Sequence, residues 1–268
     1  MPRYISSDEL KPLVGSSRCP LVIDVRRHAV FETAPTRIAG SIWRDHMRVA
    51  EWLPELPRGH LVVYCAHGHN VSEIAAAALR EGGREVSVLE GGIEAFEAAA
   101  GSTVTASAPQ VEAGGPATHW VTRQRPKIDR IACPWLIRRF IDPLAIFHFV
   151  AAEWVGDVAD ETGWIPFDVE GVALSHRDER CSFDTLIEEF AVADPGLARL
   201  ARIVRGADTA RLDLEPEAAG LLAISLGLSA SEADDHAQLE KGVMLYDALF
   251  GWCRHASGEQ HNWPAKAA

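Results

Sequence analysis

The chain is poor in cysteine, has no long apolar run and carries no excess of basic charge. Its five cysteines (Cys19, Cys65, Cys133, Cys181, Cys253) are widely spaced, with no Cys-x-x-Cys pair. Such usage excludes a disulfide framework and fits reduced thiols in a cytoplasmic protein. No stretch approaches the roughly 20 apolar residues that span a bilayer, and residues 1–6 lack the apolar core of a signal peptide. With 26 Lys and Arg against 38 Asp and Glu, the net charge is −12. A chain of that sign repels nucleic acid, and no basic helix offsets it. The expectation is a cytoplasmic protein with neither a nucleic-acid nor a membrane partner.

The acidic excess is uneven. Residues 1–106 hold 11 Lys and Arg against 13 Asp and Glu, whereas residues 107–268 hold 15 against 25. A hydrophobic fraction of 47% is ordinary for a soluble globular protein, and 268 residues exceed the usual size of one domain. Residues 101–117 are rich in Ala, Gly, Ser, Thr and Pro without apolar periodicity and read as a flexible linker. The expected division is therefore a domain over 1–100, that linker, a second domain over 118–258 and a tail over 259–268.

Chemistry concentrates in Cys65-Ala66-His67-Gly68-His69-Asn70-Val71. The preceding run Leu61-Val62-Val63-Tyr64 reads as a short buried strand, and the Ala-rich run from Ile74 to Leu79 as a helix. A cysteine at a strand-to-helix turn faces loop N–H groups and the positive end of a helix dipole, which favour thiolate over thiol. Position alone equally allows an inert cysteine at a buried strand end.

Around this loop lie Leu21-Val22-Ile23-Asp24-Val25-Arg26, then Ile38-Ala39-Gly40-Ser41-Ile42, and later Leu89-Glu90-Gly91-Gly92 ahead of Phe96. Over residues 1–100 this ordered set of motifs resembles a rhodanese domain. The resemblance implies a parallel sheet flanked by helices. It also implies that Cys65 takes a sulfane sulfur from a small-molecule donor, carries it as a persulfide and passes it to a thiol acceptor. Many rhodaneses place an arginine five residues after the cysteine, where this chain has Asn70. A neutral amide cannot give an oxyanion the charge-assisted bonds of a guanidinium fork. His67 and His69 supply imidazoles whose charge changes within the physiological pH range, or else they belong to a solvated loop tip. The candidate catalytic residues are Cys65, His67, His69 and Asn70. Gly68 and Arg26 are candidates for substrate contact, although Asp24 and Arg26 also suit a strand-end ion pair.

Beyond the linker, residues 118–123 read as a strand. Pro134 suits the first turn of a helix and Asp142-Pro143 its end, which predicts a helix over 134–141 with Cys133 at its cap. There Cys133 gains thiolate character, or else it is a small buried hydrophobe. Alternation between Ile165 and His176 around Glu170-Gly171 predicts a short hairpin, followed by a helix through Phe190 capped by Ser182 or Asp184. Another helix is expected from Pro216 to Leu228, stopping near Gly227. The last long helix opens on Ser231 and Asp234 as a capping box. It puts Leu239, Val243, Tyr246, Phe250 and Cys253 on an apolar stripe, with His236, Glu240 and Asp247 on an adjacent one. His236 and Glu240 at i,i+4 suit metal chelation or a plain surface pair.

The strings Pro126-Lys127-Ile128-Asp129-Arg130-Ile131-Ala132-Cys133-Pro134-Trp135, Pro166-Phe167-Asp168, Ser175-His176-Arg177, Cys181-Ser182-Phe183-Asp184, Ile203 to Asp208 and Asp234-Asp235-His236 carry a second likeness. Over about residues 118–255 they are similar to the C-terminal domain of the chromate-resistance B proteins. Members of that family with a DNA-binding N-terminal half are linked to chromate-responsive regulation; here a rhodanese-like segment stands in its place.

The expected fold is α/β: a rhodanese-like parallel sheet flanked by helices, then a mainly helical C-terminal domain with a short hairpin. The expected function is a sulfurtransferase that carries persulfide sulfur on Cys65. It would be coupled to a chromate-resistance-type domain that binds a metal or oxyanion or performs thiol redox chemistry. The alternative is a chromate or metal sensor whose rhodanese module is catalytically weak. In the second domain Asp129, Arg130 and Cys133 are candidates for ligand contact. His176, Asp235, His236 and Glu240 are candidates for a divalent transition metal, whether zinc, iron or manganese.

Overall fold

The structure is a computed structural model of the chain, which describes residues 3–109 and 117–259. The first half runs β1 (Tyr4–Ile5), α1 (Ser7–Leu10), β2 (Leu21–Asp24), α2 (His28–Glu32), β3 (Thr36–Ile38), β4 (Ser41–Trp43) and α3 (Val49–Trp52). It continues with β5 (Leu61–Tyr64), α4 (Asn70–Glu81), β6 (Val86–Leu89), α5 (Gly92–Ala98) and β7 (Thr103–Thr105). Five strands form one sheet in the order β1-β6-β5-β2-β4, with every pair parallel. Every residue of β5 and β6 is buried, as strands covered on both faces require. Helix α4 buries Ala75, Ala76 and Leu79. Cys65 therefore leaves the carboxyl end of the middle strand, directly before a helix.

The second half contains β8 (His119–Arg123), α6 (Asp129–Leu136), β9 (Ile146–Val150), α7 (Val155–Thr162) and β10 (Ile165–Pro166). Four helices follow: α8 (Ser182–Glu189), α9 (Leu197–Asp208), α10 (Ala218–Ser231) and α11 (Asp235–Gly251). A small parallel sheet, β10-β8-β9, lies among these helices. Mixed α/β architecture with a helix-rich second half matches the expectation, and no helix among the described residues is long and apolar enough to cross a membrane.

Several local expectations are corrected. The helix predicted over 134–141 begins at Asp129, so Pro134 lies inside it, and the chain continues into a π-helical turn at Ile137–Ile141. Burial of Ile131, Trp135 and Leu136 outweighs the proline signal and its lost backbone bond. The predicted hairpin is absent among these residues: β10 pairs with β8, and Phe167 makes a parallel bridge to Leu174. Phe167 is drawn into the core, edge-on to Trp120 and Phe147, so its strand joins the sheet. Helix α10 runs through Gly227 to Ser231, because a helical glycine costs only about 1 kcal/mol. Ser231 therefore ends that helix, and Asp234 alone caps α11 by accepting from the Ala237 N–H at 2.7 Å.

The linker expectation also changes. Thr103–Thr105 pairs antiparallel with β3, and Val104 is fully buried. The Thr105 N–H donates to Phe190 O at 2.9 Å, and the Ala193 N–H to Thr103 O at 3.1 Å. Small residues here let backbones approach closely instead of leaving the segment loose. The rest of the expected linker, residues 110–116, and residues 260–268 of the expected tail lie outside the described residues.

The two halves share one apolar cluster, which runs from Leu10 and Val14 to Phe140 and Phe250. Fully buried Arg37 donates to the carbonyls of Ser41, Ala108 (3.3 Å), Pro109 (3.3 Å) and Ile141 (2.9 Å). The Gly40 N–H donates to Phe140 O at 2.6 Å. Carbonyls at the end of the α6 segment, which have no partner in their own helix, are thus satisfied by the first half.

Candidate functional site

Cys65 is 7% exposed. Its Sγ lies 3.3 Å from Ser72 Oγ and 3.6 Å from the His69 carbonyl; Ser72 Oγ lies 2.9 Å from that carbonyl, and its one proton turns from there to the sulfur when the sulfur is a thiolate. Burial raises the thiol's pKa. The Ser72 hydroxyl and the backbone N–H groups of Ser72, His67 and His69 outweigh that effect and leave it below the ordinary thiol value. Loop amides and a helix start thus favour the anionic form of this sulfur.

The loop is propped from behind by the Gly91-Gly92 turn. At Gly68 (φ +70°) a Cβ would come within 2.5 Å of Leu89 O and 2.7 Å of Gly91 N. At Gly92 it would sit 2.3 Å from Cys65 O, the acceptor of the Ile93 N–H. Gly68 thus shapes the loop by close backbone approach.

His67 turns its Nδ1 to Glu94 at 3.1 Å, with both side chains exposed. His69 occupies the cap position of α4 without a side-chain cap bond. Their backbone N–H groups hydrogen-bond the Cys65 sulfur, and both residues line the cleft beside it. Asn70 begins α4 and lines an open cleft of about 250 Å³ together with Cys65, His69 and Arg27. Arg26, a candidate for substrate contact, lines the same cleft and also serves as a brace. Its fork binds Asp24 at 2.5–3.0 Å and the Thr36 carbonyl, while Tyr64 donates to the same Asp24. Ser72 and exposed Arg27 were not among the candidates. The helix periodicity after Cys65 offers a signal for Ser72, seven residues on, but nothing local marks Arg27.

A second constellation lies in the other half. Asp129, Asp168 and Asp208 are 1%, 4% and 18% exposed at their side chains, and all three turn toward His176. The distances from His176 Nε2 are 3.5 Å to Asp129, 3.5 Å to Asp168 and 3.2 Å to Asp208. Asp129 opens α6 after Ile128, whose φ of 33° is strained for a β-branched residue. Its Oδ2 accepts the backbone N–H groups of Ser182 (2.5 Å) and Phe183 (3.3 Å) at the start of α8, while its Oδ1 has no hydrogen-bond partner. Asp168 accepts from the Ser182 hydroxyl at 2.6 Å and from Arg130 at 3.0 Å.

Burial and the neighbouring carboxylates push the Asp129 carboxyl well up, and burial raises Asp208 as well. Hydrogen bonding to Asp168 and the surrounding carboxylates push His176 up to about 9. An open cleft of about 740 Å³, lined by Arg123, Glu170, Ser175, Asp168 and His176, adjoins the cluster.

Among the described residues, Asp129, His176 and Asp208 are the group whose ligand atoms all lie within 4.8 Å of one another. Of the residues expected from sequence to bind a metal, only His176 lies in this group. His236 packs edge-on to Phe149, Glu240 binds Arg138 at 2.7 Å, and Asp235 accepts the Arg125 N–H at 3.0 Å. On α11 these residues serve as surface and packing pairs. Cys133 is corrected too. It is completely buried within α6, not at a cap, and burial pushes its thiol well up, as it does for Cys181. Neither sulfur suits thiol redox chemistry. Arg130 donates from Nη1 to Asp168 at 3.0 Å. Sequence reasoning does not single out Asp168 or Asp208, since only the fold brings them to His176.

Residues 120–253, half of the chain, match the family described as ChrB, C-terminal domain. Residues 6–99 match the rhodanese-like domain. The chain is 36% identical over 132 residues to Protein ChrB of Cupriavidus metallidurans, a match that takes in 49% of this chain. It spans 39% of that relative's length. Among solved structures, a rhodanese-related protein from Thermoplasma volcanium is 28% identical; it covers 38% of this chain and 98% of its own, with a TM-score of 0.33. A rhodanese homologue from Thermus thermophilus is 29% identical; it covers 35% of this chain and 99% of its own, with a TM-score of 0.29.

Proposed function

We propose a function from one premise: the chain belongs to the family of the ChrB C-terminal domain and carries a rhodanese-like domain ahead of it. It is a sulfurtransferase that carries sulfur on Cys65, joined to a domain that binds a metal ion or an oxyanion. One observation supports the transfer chemistry above all. Cys65 is the cysteine in a cleft whose hydroxyl and amide donors lower its pKa, whereas burial raises Cys19, Cys133, Cys181 and Cys253.

In the proposed cycle the Cys65 thiolate attacks the outer sulfur of a sulfane donor. The new S–S bond forms as the donor's own bond to that sulfur breaks, and the donor departs with the electron pair. The persulfide anion then sits among the Ser72 hydroxyl and the loop amides. Attack by an acceptor thiolate on the terminal sulfur restores the Cys65 thiolate. No net oxidant is needed.

Incubation with inorganic polysulfide should add one sulfur atom to the peptide containing Cys65, and Cys65→Ser should abolish transfer to a thiol. Undiminished transfer by folded Cys65→Ser would refute this reading. Asn70, in the place of a guanidinium, favours a second reading in which the module is a weak enzyme serving a chromate or metal sensor. That reading expects persulfide to form on Cys65 but to turn over slowly with thiosulfate.

A further inference from the structure

We infer that Asp129, His176 and Asp208 form a divalent transition-metal site opening onto the cleft beside Ser175. The inference rests on the metal-or-oxyanion reading of the second half and narrows it to a cation.

Geometry is the first ground. Metal–ligand bonds of about 2.0–2.2 Å place neighbouring ligand atoms roughly 3.0–3.5 Å apart. His176 Nε2 lies 3.5 Å from Asp129 and 3.2 Å from Asp208. A lone imidazole N–H donates to one acceptor only, so it cannot satisfy several converging carboxylates. A cation at their centre can.

Unmet bonding is the second ground. The Asp129 side chain is 1% exposed; its Oδ2, which accepts the α8 N–H groups, is the oxygen 3.5 Å from His176, and its Oδ1 has no hydrogen-bond partner. A buried carboxylate oxygen without a partner carries a large desolvation cost. Among the described residues, neither Asp129 nor Asp208 has a lysine or arginine ion-pair partner; Arg130 pairs with Asp168.

The donors then choose the ion. Two carboxylates and an imidazole, with no thiolate, suit manganese, iron or zinc rather than a soft ion. Three protein ligands leave positions open toward the cleft, where water or an anionic ligand can complete the shell. Asp168, held by Ser182 and Arg130, faces the same His176 Nε2 at 3.5 Å and adds a further carboxylate beside the ion.

The test uses the full chain, purified without a tag and stripped by a chelator. Mn²⁺ is titrated in while loss of the free-ion EPR signal is followed, and Zn²⁺ is then added as a competitor. One Mn²⁺ per chain is expected, displaced by Zn²⁺. Asp129 also holds the start of α8, so the variants are the more exposed Asp208→Asn and His176→Ala, each checked for fold by circular dichroism. Each should weaken Mn²⁺ binding at least about tenfold, and His236→Ala should leave it unchanged. Binding equal to the parent in both folded variants, or no uptake of either ion, overturns the site. If the parent takes up chromate or sulfate but neither cation, the cation inference fails while the broader binding reading survives. If it takes up none of these, both fail.

Discussion

At Cys65 burial and hydrogen bonding oppose each other, and the donors prevail. Its thiol should therefore be alkylated by iodoacetamide with a pH midpoint below that of an ordinary thiol. Reactivity should fall as pH drops through that depressed value. Stability follows the same sign: the thiolate's contribution is complete above the unfolded thiol's pKa and is lost as pH falls through the lower folded one. Ser72→Ala should move the alkylation midpoint upward, and an unmoved midpoint would show that the hydroxyl does not support the anion. Beside the same sulfur, Asn70 leaves the cleft without the family's guanidinium while Arg27 lines it. Asn70→Arg should lower KM for thiosulfate by roughly tenfold, the scale of one charge-assisted bond. Arg27→Ala should raise it. Steady-state kinetics on both variants decide the point, and an unchanged KM in each would remove the anion role from this cleft.

Among the elements, α6 and the turn after it are tied to α11 by the Asp247 carboxylate. Asp247 accepts from Trp135 Nε1 at 2.9 Å and from Arg139 at 2.8 and 2.7 Å. Trp135 also packs edge-on to Phe250 with ring centroids 5.1 Å apart. At Gly242 an added Cβ would approach Ile131 to 2.5 Å, which shows how closely the two helices meet. Asp247→Ala leaves a buried indole N–H and a guanidinium without their acceptor and should destabilise by about 2–4 kcal/mol. Asp247→Asn keeps one acceptor oxygen and should cost less. Urea unfolding followed by tryptophan fluorescence ranks the two, and equal midpoints for parent and Asp247→Ala would dismiss this role.

Over the whole molecule, Arg37 belongs to the first half yet satisfies the carbonyls of Ala108, Pro109 and Ile141. Burial lowers its pKa, and the carbonyl end of a helical segment is a favourable place for its charge. Arg37→Met removes these donors while preserving bulk. It should lower stability by about 2–4 kcal/mol and shift the unfolding of both halves together, because they share one apolar cluster. Calorimetry can show this as a single lowered transition. An unshifted first-half transition alongside a destabilised second half would mean that the halves fold independently.

The sequence alone determined the two family likenesses, the parallel sheet and the reactive loop at Cys65. All of these depend on residues adjacent in the chain: an apolar run, a Cys-x-x-Gly turn and a helix start. Periodicity likewise located the last helix and its apolar stripe. What it could not decide was which polar residues on that helix meet which neighbours. His236 and Glu240 have ligand chemistry, yet packing assigns them to Phe149 and Arg138. Pro134 and Cys133 are governed by burial around α6, not by local capping rules. The carboxylate cluster was invisible because Asp129, Asp168, His176 and Asp208 come from separate segments. Only the packing of α6 and α9 against the segment between β10 and α8 brings their charges together.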